Sequence, residues 1–254
     1  MGRVFIVFLL GAGAWGVSIG SHELIGHGGV CAVDPQCRWI YADGMYFGGA
    51  HGEGAWRQAE LAGGAVFNIV FALLCGLWLA AAPPAGWAFR VFLWALATVG
   101  LVQSGSYIAF GPFIHEGMDW ARLRDTHGWP YPVLAALGGG AVLAGLGLSK
   151  FGLERREIVR GSRVTLILPA WAGFAASAVA VGAILPTQDR ELMLLGAVGS
   201  SVFFMAWMLL LFIPLPGLRR TAAAMTGADR SVIILATVLG LAYVFWLGPG
   251  IGFN

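Results

Sequence analysis

Residues 4–29 read VFIVFLLGAGAWGVSIG followed by SHELIGHGG: seventeen residues without a charge, then two histidines and a glutamate. About 20 apolar residues cross the hydrocarbon core of a bilayer, so the first part is nearly a full span. Ionisable groups at such depth are costly unless a partner or a cavity receives them. The run also has the length of a secretory signal, with small residues after it. Cleavage there would strand His22, Glu23 and His27 at a mature terminus without a role, so the run is read as a retained span.

Composition agrees. The 254 residues are 58% hydrophobic and 11% charged, against about 25% charged in soluble domains. Such a chain lacks the charge to cover a water-facing surface. Glycine is abundant, 39 residues, as suits closely packed membrane helices. A net charge of +2 without a basic tail excludes nucleic acid as a partner.

Seven stretches are long and apolar enough, or nearly so, to span: 4–20, 61–82, 87–110, 132–149, 164–185, 192–213 and 231–247. Prolines and charges separate them, at Pro83-Pro84, Gly111-Pro112, 150–163, 186–191 and 214–230. The fourth is the weakest, because Gly138-Gly139-Gly140 lowers its helix propensity. The segment 28–56 is rich in Gly, Tyr and Trp and reads as a loop or short hairpin at the membrane edge. The expected architecture is an all-α polytopic membrane protein with six or seven transmembrane helices.

Cys75 sits in an apolar run and reads as packing. Cys31 and Cys37 lie in the edge segment and are able to pair if it faces an oxidising compartment; their spacing is not that of a Cys-based metal site. Counting cations by parity puts Arg3, Arg90, Lys150, Arg155, Arg156, Arg160, Arg163, Arg219, Arg220 and Arg230 on one side. Arg38, Arg57, Arg122, Arg124 and Arg190 fall on the other. The positive-inside rule makes the first side cytoplasmic and turns His22 outward. The cations of 155–163 read as topology determinants at the headgroups.

The spacing His22-Glu23-x-x-x-His27 differs from the zinc motif H-E-x-x-H. Residues i and i+4 differ by about 40° around a regular helix, whereas i and i+5 differ by about 140° at 3.6 residues per turn. One surplus residue is absorbed either by a π-bulge, common at functional sites, or by unwinding at Gly26. Dipeptidyl peptidase III, a soluble zinc peptidase, carries a similar HELLGH string.

Two further elements accompany this motif: Gly64-Ala65-Val66-Phe67-Asn68 within the second span, and Asp119 in GMDWARL after the third. With them, residues 1–125 resemble the site-2 protease group of intramembrane metallopeptidases. That group has an H-E-x-x-H helix, a G-x-x-x-N helix and an Asp as last zinc ligand. Here the first motif is one residue longer, and Trp120 replaces the usual Gly after the Asp. The resemblance implies a site-2-protease-like metal core in spans one to three (1–125, with edge loop 28–56) and a second region, 126–254, carrying spans four to seven.

It also implies Zn²⁺ held by His22, His27 and Asp119, with Glu23 as general base and Asn68 as a catalytic residue holding substrate or oxyanion. His115, four residues before Asp119, is the reserve ligand. His51 and His127 read as loop residues. The implied activity is an intramembrane zinc metalloprotease acting on membrane-spanning substrates in the bacterial inner membrane. The alternative is a catalytically silent membrane subunit that binds and stabilises partner proteins, a reading favoured by the surplus residue. Members of the group usually open their zinc site toward the cytoplasm, opposite to the cation count, and the side stays open.

Overall fold

The computed structural model describes residues 2–42, 47–50, 54–114, 119–155, 158, 163–184, 190–213, 227–249 and 251–252. In hydrocarbon every backbone polar group needs an internal partner, and long helices meet that demand. The first helical rod is α1 (Arg3–Ser21), a π turn (His22–His27) and α2 (Gly28–Val33). A hairpin follows, β1 (Arg38–Ala42) with β2 (Phe47–Ala50). Then come α3 (Ala55–Ala81), α4 (Trp87–Thr98), a π turn (Val99–Gln103), α5 (Ser104–Ile114) and the short α6 (Asp119–His127). The chain continues through α7 (Tyr131–Arg155), α8 (Val164–Ile184), α9 (Arg190–Leu209) with a 3₁₀ turn (Leu210–Phe212), α10 (Gly227–Ala242) with a π turn (Tyr243–Leu247), and β3 (Ile251–Gly252).

Among the described residues, six helical rods are long and apolar enough to cross a bilayer: Arg3–Val33, Ala55–Ala81, Trp87–Phe113, Tyr131–Glu154, Val164–Ile184 and Asp229–Leu247. The chain is an integral membrane protein. Packing registers settle the role of the shorter apolar helix Ala197–Phe212. Along α1, Gly11 meets Ala170 and the ring of Trp15 lies 6.4 Å from that of Phe174, so α8 runs parallel to α1. Gly13 meets Ala236, Gly16 meets Tyr243 and Gly20 meets Leu247, so α10 is parallel as well. Two successive parallel helices require α9 to return across the bundle between them. The antiparallel pairing of β3 with β1, Tyr41 opposite Gly252 and Ala42 opposite Ile251, then brings β3 to the end of the bundle that carries the hairpin.

Three expectations about element boundaries and helix strength need correction. Residues Gly28–Val33 are helical, not loop, since nothing in GGVCAV breaks a helix already stabilised by the preceding rod. The hairpin itself is present. The third span runs through Pro112 to Ile114. The glycines at 138–140 do not weaken the fourth span, which is one helix from Tyr131 to Arg155. Gly138 lies backbone to backbone against Gly105 and Ala109 of α5, a close approach that a methyl group would block.

One apolar interior joins both regions of the chain. Leu10, Trp94, Ile167, Phe174, Met208 and Ala236 are almost fully buried in it. A smaller cluster, Leu61, Ala65, Ile108, Trp120, Leu123 and Leu134, clamps α6 between α3, α5 and α7. The end of the bundle where α1 begins is stitched by buried polar contacts. Asp229 Oδ1 accepts the Ala88 N–H at 2.6 Å. Trp87 Nε1 donates to the Ile158 carbonyl at 2.8 Å. Arg163 does not lie among headgroups as expected. Its buried guanidinium pairs with Glu154 and donates to the carbonyls of Leu211 and Ile213.

Removing one partner of a buried ion pair typically costs about 3–5 kcal/mol, because the other charge is left without compensation. Arg163→Met is therefore expected to lower the melting temperature in detergent markedly. Arg163→Met combined with Glu154→Leu is expected to recover much of the loss, as read by thermal unfolding of the purified protein.

Candidate metal centre

The π turn is what brings His22 and His27 together. Its defining i→i+5 pattern shows in the Gly28 N–H bonded to the Glu23 carbonyl. A turn of that width returns residues five apart to the same face, so the surplus residue of the motif is absorbed without breaking the helix. The two imidazoles stand edge to face with centroids 4.9 Å apart. Both are buried, at 8% and 4% exposure.

The turn crosses α3 at its glycines. A methyl group on Gly26 would strike the backbone of Gly63 and Gly64. A methyl group on Gly64 would sit 2.6 Å from His27 Nε2 and closer still to His22 Nε2. The glycine of the G-x-x-x-N pattern thus has a physical purpose. It clears the volume into which both ring nitrogens point.

Asp119, first residue of α6, completes the group. Its Oδ2 lies 3.6 Å from His27 Nε2. One donor atom from each of His22, His27 and Asp119 lies within 4.8 Å of the others. Donors bound at about 2.0–2.2 Å from one ion are separated by roughly 3–4 Å, so the set would close on a cation with a contraction of up to roughly 1–2 Å.

Each donor has an outer partner, as metal ligands require. His27 Nδ1 is 2.7 Å from the Glu60 carbonyl. A carbonyl only accepts, so Nδ1 carries the proton and Nε2 presents its lone pair. His22 Nδ1 lies 3.4 Å from the Asn68 amide nitrogen, Nδ2, which also donates to Ser18 Oγ at 3.2 Å, while Asn68 Oδ1 accepts from Ser21 Oγ at 3.4 Å. In this orientation the amide donates to Nδ1; a half-turn of the amide, which is alike in shape at its two ends, would let its oxygen accept Nδ1–H and free Nε2 for a metal. The Tyr107 hydroxyl donates to Asp119 Oδ2 at 3.0 Å.

Glu23 lies on the same turn, 5% exposed, and acts electrostatically on Tyr107. Arg57 pairs with the Glu60 carboxylate at 2.5 Å, and Trp129 Nε1 donates to Gln58 at 2.9 Å. Arg124 donates to the Pro112 carbonyl at 2.6 Å, tying α6 to the end of α5. Its remaining bonds hold the exposed Asp125 carboxyl below the ordinary carboxylate range.

The sequence-derived residues His22, Glu23, His27, Asn68 and Asp119 therefore converge. His115 and His51 lie outside the described residues. His127 ends α6 and is not in the cluster. Cys31 and Cys37 are joined as a disulfide, and Cys75 is a buried thiol. Sequence reasoning missed Tyr107, Ser18 and the Glu60 carbonyl. Each is recognisable only by its contact with a residue far away along the chain. No protein family, curated protein or solved structure matches the chain.

Gly64→Ala is expected to abolish metal retention while leaving helical content unchanged, measured by metal analysis and circular dichroism on the same sample. Tyr107→Phe is expected to weaken metal affinity by about 10–100-fold, the usual effect of losing an outer partner, measured by chelator competition.

Proposed function

We propose that the protein is an intramembrane zinc endopeptidase of the site-2 protease type, seated in a bacterial inner membrane, that cuts membrane-spanning protein substrates. The observation that supports it best is the donor set itself. Two imidazoles from one π turn and a carboxylate from α6 converge at the edge of the membrane core, each with an outer partner. Polar groups are expensive there, and a shared cation gives all of them one reason to be present.

His22 and His27 would hold Zn²⁺ through Nε2 as neutral imidazoles, and Asp119 as a carboxylate. The ion supplies a Lewis acid that polarises a carbonyl and lowers the pKa of water to about 7. Glu23, next to His22, takes a proton from the attacking water and delivers it to the leaving nitrogen. Tyr107 positions Asp119. The Asn68 amide meets His22, Ser18 and Ser21, which favours positioning of His22 over the oxyanion role the resemblance implies. The substrate helix has to unwind locally, because an intact helix sequesters its carbonyls in its own hydrogen bonds. The alternative of a silent partner-binding subunit drew its support from the surplus residue in the motif. The π turn accommodates that residue and withdraws the support.

A general base contributes about 10²–10⁴-fold. Glu23→Gln is expected to lose cleavage of membrane-helix substrates by that factor in detergent or liposomes while retaining zinc. Equal cleavage by the variant, or none by either protein across a broad panel, would remove the peptidase reading.

A further inference from the structure

We propose that the metal centre opens on the non-cytoplasmic, oxidising face of the membrane. Resting on the peptidase reading, the substrate class is then a membrane segment cut near its non-cytoplasmic end. Four observations converge on this orientation.

The first is depth. His22 follows Arg3 by nineteen residues on one continuous rod, about 28 Å at 1.5 Å per residue. The hydrocarbon core is about 30 Å thick. The imidazoles thus lie at the far edge of the core from the start of α1, at the end carrying the hairpin and α6. On the antiparallel α3, Glu60 is likewise only five residues past Ala55.

The second is the disulfide. Cys31 stands four residues past His27, and its bond to Cys37 fastens α2 to the approach of β1. Disulfides persist in oxidising compartments and are reduced in a bacterial cytosol. The remaining cysteine, Cys75, is a thiol inside the second span.

The third is charge. The helix directions put the α4 start, the α7–α8 connection and the α9–α10 connection at the end where α1 begins. Among the described residues Arg3, Arg90, Lys150, Arg155, Arg163 and Arg230 belong to that end, and along the sequence ten of the fifteen cations fall at or between those helix ends against five elsewhere. Lys and Arg favour the cytoplasm in short loops, and acidic residues count for little.

The fourth is closure. Among the described residues, the charged groups at the end opposite the metal are buried in mutual contacts, Arg163 with Glu154 and Asp229 with the start of α4. At the metal end, Asp119 keeps a quarter of its side chain exposed.

Pairing of β3 with β1 carries the C-terminal strand to the metal end, so reporters fused after Asn254 read the side directly. Full-length protein is expressed in a bacterial host with alkaline phosphatase or green fluorescent protein at that position. In parallel, the unfused chain carrying Cys75→Ser is treated with maleimide-polyethylene glycol, with and without reductant. The expected result is active phosphatase, a dark fluorescent fusion, and two tags gained only after reduction. Bright fluorescence with inactive phosphatase, or tagging of Cys31 and Cys37 without reductant, overturns the orientation. If neither fusion folds, the thiol assay decides alone.

Zinc content of the purified chain separates this proposal from the enzymatic one. Oxidised cysteines without zinc keep the orientation and remove the peptidase reading. Zinc with free cysteines does the reverse.

Discussion

The turn His22–His27 crosses α3 with no side chain between the two backbones, and the placement of the donors follows from that contact. Gly26 lies on Gly63 and Gly64 more closely than any other residue type permits. Small residues at a crossing are how membrane helices gain packing energy where no hydrophobic drive distinguishes protein from lipid. Here the crossing also leaves the volume above Gly64 open, and two imidazoles fill it. Moving the helices apart by one methyl group would separate His22 from Asn68 and His27 from the Glu60 carbonyl together.

A second consequence of the bilayer is that the surplus residue cannot be looped out. A lipid-exposed break in the helix would leave backbone groups without partners, at several kcal/mol each. Widening one turn keeps those groups bonded. The same solution recurs at Val99–Gln103, just before the α5 segment that carries Tyr107, and at Tyr243–Leu247, where α10 packs on α1. In the first two cases the wide turn lies in the rod that presents a polar side chain to the cluster. The buried polar residues near it then satisfy one another: Ser18 and Asn68 with His22, Glu60 with His27, Tyr107 with Asp119.

The apolar runs between prolines and charges made the helical membrane architecture legible, because lipid imposes a length and a composition on each span. The grouping of His22, His27 and Asp119 was legible as well, since a string such as HELIGH in an apolar chain draws attention to any carboxylate able to join it. The wide turn was one of two readings the residue count allowed; the other, unwinding at Gly26, does not occur, since the π turn His22–His27 continues the rod. What stayed hidden depends on tertiary contact. Nothing local marks Tyr107 in QSGSYIAFG as the partner of Asp119, or the carbonyl of Glu60 as the partner of His27. Arg163 sits in a run of cations and looks solvated, yet its guanidinium is enclosed by chain segments about fifty residues apart. The helical state of Gly28–Val33 was also hidden, because glycines that read as loop in water are ordinary in a packed membrane rod.

X-ray absorption at the zinc edge, on wild-type protein purified without chelator, bears most directly on the centre. The expected spectrum is one zinc per chain with two imidazole nitrogens and oxygen donors at about 2.0–2.2 Å, and no sulfur. A chain that holds no stoichiometric zinc, or whose zinc scatters from a single imidazole or from sulfur, would contradict a centre built from His22, His27 and Asp119.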